Sequence, residues 1–306
     1  MKRNDVDAIR RAIRGKDREL VRLLNERARL SVEMGRVKAS AGIGVFDPVQ
    51  ERRVLDDIAA LNEGPLSAEA LEKLWCEIFS SSRALQAPLR VACLGPEGSF
   101  AHLAARERFG KSAGLLPQVT IGAVFDAVEK SRSDLGVVPL ENSVEGPVRT
   151  TLERLIATPL AIRAEIFLRV SHCLLSKAAG RRIRRVYSHP QALAQCRQWL
   201  ARHLPLAAAV ETESTSAAAL QARGDRHGAA IASRLAAEMY GLPVVEAGIE
   251  DHPGNTTRFI VIGAGANAPT GRDKTSVLFS TQHRPGALHA ALAPFALAER
   301  APIPGR

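Results

Sequence analysis

From Asp5 to Lys38 the chain has no proline, and apolar residues keep a heptad spacing: Val6, Ile13, Leu20 and Met34 on one position, Ile9, Leu23, Leu30 and Val37 on another. The pattern predicts one helix of about ten turns. The first series passes through Arg27, which sets a guanidinium in the apolar seam between Leu20 and Met34. An unpaired buried cation is costly, so either a glutamate of a neighbouring helix or a bound anion must meet it. Asp47 as N-cap and Pro48 in the first position open a second helix, with Asp47 and Glu51 on one face. "NEGPLS" ends it, and a third helix, about Ala68 to Leu85, brings Ser82 and Gln86 to one face. Arg10 and Lys38 are 28 residues apart, about 42 Å along one helix, too far to grip the same small molecule. An antiparallel copy of the long helix would carry Arg10 of one chain toward Arg27 and Lys38 of the other. The spacing therefore predicts a homodimer with two shared sites.

From Leu89 the texture changes to short apolar runs alternating with amphipathic stretches. Strands are expected near 90–94, 135–140, 184–188, 207–211, 243–247 and 257–262, and helices near 100–109, 123–131, 190–202, 215–223 and 232–240. This alternation argues for a parallel α/β sheet. The run "LAIRAEIFLRVSHCLLS" (160–176) is too long for one strand, and a chain crossing between two lobes would account for it. Polar clusters fall after strands and before helices: "GPEGSF", "ENS" (Glu141, Asn142, Ser143), "SHPQALAQC" (Ser188 to Cys196), "ESTSAAA" (Glu213, Thr215) and "NTTRF" (Asn255 to Phe259). Strand ends and helix N-termini suit small anions, although any one of these residues could be an ordinary cap.

Composition narrows the partners. The 306 residues carry a formal charge of +10, with "RRIRR" (181–185) the densest basic run, but aromatics are only 4% and the remaining arginines are dispersed among acids. That combination favours a protein that gathers small anionic substrates over one that binds nucleic acid. Cys76, Cys93, Cys173 and Cys196 form no C-x-x-C pair, so neither a disulfide frame nor a metal site is expected. The charged N-terminus and the lack of a long apolar run point to a cytoplasmic protein without membrane contact.

Residues 1–87, through Arg10, Arg27, Lys38, Asp47, Glu51, Ser82 and Gln86, resemble the all-helical chorismate mutase domain at the front of bifunctional chorismate mutase/prephenate dehydratases. The resemblance implies three helices in an intertwined dimer. It implies that Arg27 and the partner chain's Arg10 hold the two carboxylates of chorismate, that Lys38 and Gln86 bond its ether oxygen, and that Asp47 and Glu51 hold its ring hydroxyl region. Such enzymes often carry Arg before that glutamate, where this chain has Gln50. A Claisen rearrangement asks for a folded substrate and stabilised charge, so Lys38 and Gln86, with Glu51, are the catalytic candidates.

Residues 89–266, through GPEGSFAHLAA, VVPLENSVEGPV, SHPQALAQC, ESTSAAA and NTTRF, resemble prephenate dehydratase. This implies a two-lobed α/β fold like that of periplasmic solute-binding proteins, no cofactor, and Thr257 as the residue most tied to catalysis. Thr257 and Arg258 are expected on the cleft floor beside Asn142, Ser188, Gln195 and Thr215, with Ser143 nearby and Glu141 or Glu213 as alternative acids; His189 and His252 are read as structural.

Residues 272–306 resemble the opening of an ACT regulatory domain, an incomplete α+β segment in which Gly286, Ala287 and Leu288 match the effector-site "GAL". A lone strand and helix would expose Val277, Leu278, Phe279 and Leu292, and phenylalanine feedback is expected to be lost or weakened. Two competing readings remain: a two-lobed acid-binding protein, against which the inward acids of the helical segment argue, and a nucleic-acid protein built on RRIRR.

Overall fold

The computed structural model describes residues 3–178, 182–271, 273–277 and 279–298. Residues 1–268 form one unit and 269–306 another.

Helix α1 runs from Arg3 to Ser40, as its unbroken periodicity predicts. Helix α2 (Pro48–Ala60) starts where Asp47 accepts the Gln50 amide at 3.0 Å. Helix α3 (Ala68–Gln86) starts at Ser67, which caps Ala70. Helix α1 packs on α3 yet leaves Ile9, Ile13, Leu20, Leu23, Leu30, Met34 and Val37 exposed.

The rest of the first unit is two sheets. Strands β1 (Arg90–Leu94), β2 (Gly114–Gln118), β3 (Leu135–Asn142), β4 (Gly146–Pro147), β5 (Ala161–Arg169) and β11 (Thr256–Gly263) make the first, in the order β2-β1-β3-β11-β5 with β4 on β3. Helices α4 (Phe100–Phe109), α5 (Ile121–Glu129) and α6 (Arg149–Ala157) accompany it. Strands β6 (Cys173–Leu175), β7 (Arg185–Ser188), β8 (Ala208–Glu211), β9 (Gly228–Ala232) and β10 (Val244–Ala247) make the second, ordered β10-β6-β9-β7-β8, with helices α7 (Pro190–Gln195), α8 (Arg197–His203), α9 (Thr215–Gly224) and α10 (Arg234–Tyr240). The run 160–176 does cross between lobes, from β5 to β6, and the chain returns from β10 to β11.

Three expectations need correction. The sheets are mixed, since β11 pairs antiparallel with β3 and β5, and β6 antiparallel with β9 and β10. The helix expected at 190–202 breaks at Cys196 into α7 and α8. The sequence pattern does not predict strands β2, β4 and β9 or helix α6: β9 reads "GAAIA", and β2 and the two-residue β4 each contain a proline.

The helical and α/β segments are joined by packing. Phe46, in the α1–α2 loop, belongs to the core built by Val91, Phe109, Val137 and Val261. A Cβ on Gly110, just past α4, would lie 2.4 Å from Ser80 Cβ of α3. Arg83 of α3 donates to Phe109 O at 2.8 Å, and Ser112 N donates to Ser80 Oγ at 3.0 Å.

In the second unit helix α11 spans Ala287–Ala298, opened by Gly286 at φ 77°, with Leu288 and Leu292 exposed. The strand expected through Val277 to Phe279 is not present among the described residues, because a lone strand has no edge to bond. Val277 and Phe279 are exposed, and Leu278 lies outside the described residues. Among the described residues no helix is long and apolar enough to cross a membrane. Of RRIRR, Arg181 lies outside the described residues, Ile183 is buried and Arg185 pairs with Asp225 at 2.7 Å.

Candidate active sites

The first cluster lies between α1 and α3. Arg27 Nη1 donates to Ser82 Oγ at 2.6 Å and its guanidinium sits 5.7 Å from the Phe79 ring centroid. Both partners are uncharged, so the seam cation is not met by a glutamate of a neighbouring helix, and the bound anion remains the other expectation. Burial holds its pKa below the usual arginine range. One turn beyond Ser82, the buried Oε1 of Gln86 has no hydrogen-bond partner in the structure. Lys38 Nζ donates to Val45 O at 3.3 Å. The cluster thus offers a half-buried cation, a lysine and an unsatisfied amide, which suits a polar dianion.

Two expected members, Asp47 and Glu51, lie elsewhere, and Arg10 is remote from Arg27 of the same chain, as its assignment to a partner's site requires. Asp47 is exposed and occupied as the α2 cap. Arg10 pairs with Asp7 at 3.5 Å near the far end of α1; seventeen residues from Arg27, it is about 25 Å away along the helix. Glu51 does not turn toward Arg27: its carboxylate is held by Arg83 and by Arg108 of α4, the latter at 2.9 Å. Sequence reading put Glu51 on the face of Asp47 but could not foresee two arginines, one from the next domain, competing for it.

The second cluster lies where both crossovers pass between the lobes. Thr257, the second residue of β11, lies opposite Asn142, the last residue of β3. Asn142 Oδ1 accepts the backbone amides of Val144 (2.9 Å) and Glu145 (3.2 Å), which fixes its nitrogen toward the site. That nitrogen donates to Thr257 Oγ1 at 2.8 Å and to Asn255 Oδ1 at 2.7 Å. Asn255 Nδ2 donates onward to Gln195 Oε1 at 3.3 Å, and Gln195 Nε2 to Glu145 Oε1 at 3.2 Å. Gln191 also donates to Glu145. Ser143 Oγ accepts the Thr256 amide at 2.9 Å.

The structure brings Thr257, Asn142, Ser143 and Gln195 together, and separates others expected with them. Arg258 leaves β11 on the face opposite Thr257, because neighbouring strand residues alternate. There it pairs with Glu165 and lies 3.8 Å from Glu141. Ser188 is fully buried with its hydroxyl spent on Ile231 O at 2.7 Å. Thr215 is the first residue of α9, behind the capping Ser214, and Glu213 is exposed before it. His189 caps α7, accepting the Gln191 amide at 3.4 Å.

Asn255, Glu145 and His172 were missed. Asn255 stands inside "NTTRF" but reads as a turn former, Glu145 as a loop acid, and His172 as part of the crossover run.

The loop before α4 approaches the second lobe: Ser233 Oγ donates to Gly98 O at 2.7 Å, and a Cβ on Gly98 would meet Ser216 Oγ at 3.1 Å.

Comparison with known proteins fits this division. The family model "Chorismate mutase type II" matches residues 9–87 and "Prephenate dehydratase" matches 91–267. A bifunctional chorismate mutase/prephenate dehydratase of Stutzerimonas stutzeri is 43% identical over 299 residues, covering 95% of this chain and 82% of that protein. One of Aquifex aeolicus is 40% identical over 296 residues, with 95% and 82% covered. Among solved structures, the prephenate dehydratase of Arthrobacter aurescens in complex with L-Phe superposes with a TM-score of 0.60 at 30% identity, covering 68% of this chain and 72% of that one. Two family models in sequence, and relatives matched across both of them, place the chain in the family of bifunctional chorismate mutase/prephenate dehydratases.

Proposed function

We propose that the two clusters are the two active sites, the first turning chorismate into prephenate and the second turning prephenate into phenylpyruvate. The chain has both activities of its family, which are successive steps toward phenylalanine.

In the first step one C–O bond breaks as one C–C bond forms, with no proton transferred. Arg27 meets a carboxylate, while Lys38 and Gln86 meet the ether oxygen as charge builds on it. For Gln86 to donate, its amide must present nitrogen to the substrate. Ser82 completes the set by holding Arg27, while Asp47, the α2 cap, and Glu51, held by Arg83 and Arg108, frame the site without reaching Arg27. The exposed apolar stripe of α1 supports a homodimer in which the partner chain's Arg10 supplies the second cation. A cytoplasmic location accords with four free cysteines.

In the second step the prephenate dianion takes up one proton and yields phenylpyruvate, carbon dioxide and water. The electron pair of the C–CO2 bond enters the ring as the C–OH bond breaks. The observation that carries the assignment is the polarity at Thr257: Oγ1 accepts from Asn142, so the hydroxyl proton is free to donate to the departing hydroxyl. Asn142, Ser143 and Gln195 shape that site. Ser188, Glu141, Glu213, Thr215 and Arg258 are its outer frame, Arg258 bracing β11 through Glu165. For phenylalanine control we infer that this chain has little: the Gly286-Ala287-Leu288 turn opens an exposed helix with no strand beside it among the described residues.

The test gives purified protein chorismate alone and follows prephenate and phenylpyruvate, with and without phenylalanine. Wild type should form phenylpyruvate at a rate that phenylalanine leaves unchanged. Thr257→Val should accumulate prephenate, its dehydratase kcat reduced about a hundredfold or more. Full turnover by Thr257→Val would remove the assignment.

A further inference from the structure

We propose that His172 is a positioning residue of the dehydratase site, holding a closed ring of hydrogen bonds in the single polarity that leaves the Thr257 proton free. The proposal rests on Thr257 being the donor.

The ring runs Asn142, Asn255, Gln195, Glu145 and back to Asn142 through the Glu145 backbone amide. Its polarity is set from two places. The backbone amides of Val144 and Glu145 fix Asn142 with oxygen toward the loop. The Glu145 carboxylate, which only accepts, fixes Gln195 with nitrogen toward Glu145. Asn255 then has one consistent orientation, accepting from Asn142 and donating to Gln195.

Gln195 Oε1 receives a second and shorter bond, 2.8 Å from His172 Nε2. A carboxamide oxygen only accepts, so His172 carries its proton on Nε2. The residue is built for that one contact. It lies in the crossover between β5 and β6 and is 2% exposed. Its backbone amide donates to Glu250 at 2.9 Å, and its carbonyl accepts Gly248 N at 3.0 Å and Ile249 N at 3.1 Å. Phe100 meets the ring edge-on at a centroid distance of 5.3 Å. The buried Nδ1 has no partner, so a second proton there would be an unsatisfied buried donor, and burial lowers the pKa. The imidazole is therefore a fixed neutral donor.

Without that donor, Gln195 Oε1 keeps only the longer bond from Asn255, and the side chain, tied at Nε2 to exposed Glu145, can swing with it. Asn255 is then released to turn, and the fixed geometry of Asn142 and Thr257 loosens. The loss falls chiefly on the reacting geometry at Thr257, because His172 is screened from the cleft by its own burial and touches no substrate itself.

The experiment uses the full chain with His172→Asn, His172→Gln and Thr257→Val, measuring dehydratase kcat and KM on prephenate, mutase rate on chorismate, and Tm. His172→Asn is too short to reach Gln195 and should lower dehydratase kcat about tenfold or more, with KM within about twofold and the mutase rate unchanged. His172→Gln can place an amide N–H where Nε2 stands and should recover most of kcat. Loss of kcat in His172→Asn and His172→Gln alike, tracking a fall in Tm, would reduce His172 to a structural residue and overturn the proposal. So would wild-type kcat in His172→Asn beside an inactive Thr257→Val. Full turnover by Thr257→Val would instead remove the reading on which the proposal stands.

Discussion

A Cβ on Gly35 would lie 2.9 Å from both Cα and Cβ of Gln86, so α1 and α3 touch through a position that admits no side chain. Gly35→Ala must push Gln86 away from Arg27 and Lys38. The expected result is a mutase rate down about tenfold with dehydratase turnover intact, measured on chorismate and prephenate separately. Much of the site at this scale was legible in the sequence: Arg27 and Ser82 do meet, as do Thr257, Asn142 and Gln195. What failed had physical reasons. The resemblance implies one cleft floor for Thr257 and Arg258, although neighbours on a strand must face opposite ways. The pattern suggests Ser188 as a binding group, but its hydroxyl is consumed inside the fold by Ile231 O. His172 could not be found at all, because its importance comes from where two crossovers meet and no local pattern records that.

Between elements, the α3–α4 contact is the joint on which both domains depend. Arg83 is buried, and burial pulls its pKa down while Glu51 opposes the shift. Removing Glu51, as in Glu51→Leu, leaves that buried guanidinium without its carboxylate, with only the Phe109 carbonyl to meet it, and should cost on the order of 3–5 kcal/mol. Urea unfolding should show both activities lost in one weakened transition. A Glu51→Leu protein of wild-type stability whose mutase alone is dead would instead put Glu51 in the rearrangement chemistry. Element boundaries were legible wherever caps were strong, as at Asp47-Pro48. They were lost where composition was mute: β9 is built from glycine, alanine and one isoleucine, so it carries no period-2 signal.

For the whole molecule, the proposed homodimer, supported by the exposed apolar stripe of α1 and the distance of Arg10 from Arg27, can be tested by complementation. Arg10→Ala and Arg27→Ala should each lack mutase activity as pure samples. Mixed and allowed to exchange, half the dimers would be mixed and each would hold one intact site, so about a quarter of wild-type activity should return. Mixing that restores nothing would refute sharing. The two domains and two lobes were visible in the sequence as changes of periodicity, but the joint between them was not, because Phe46, Ser80 and Gly110 look unremarkable until packed. That joint changes what the peptide link between Gln86 and Arg90 contributes. Phe46 fills a socket in the neighbouring core and Ser80 sits in the notch left by Gly110. Two halves severed there would still carry complementary surfaces, so the link acts chiefly by raising the local concentration of one half around the other, and a genome could encode them apart while the cell reassembled the pair.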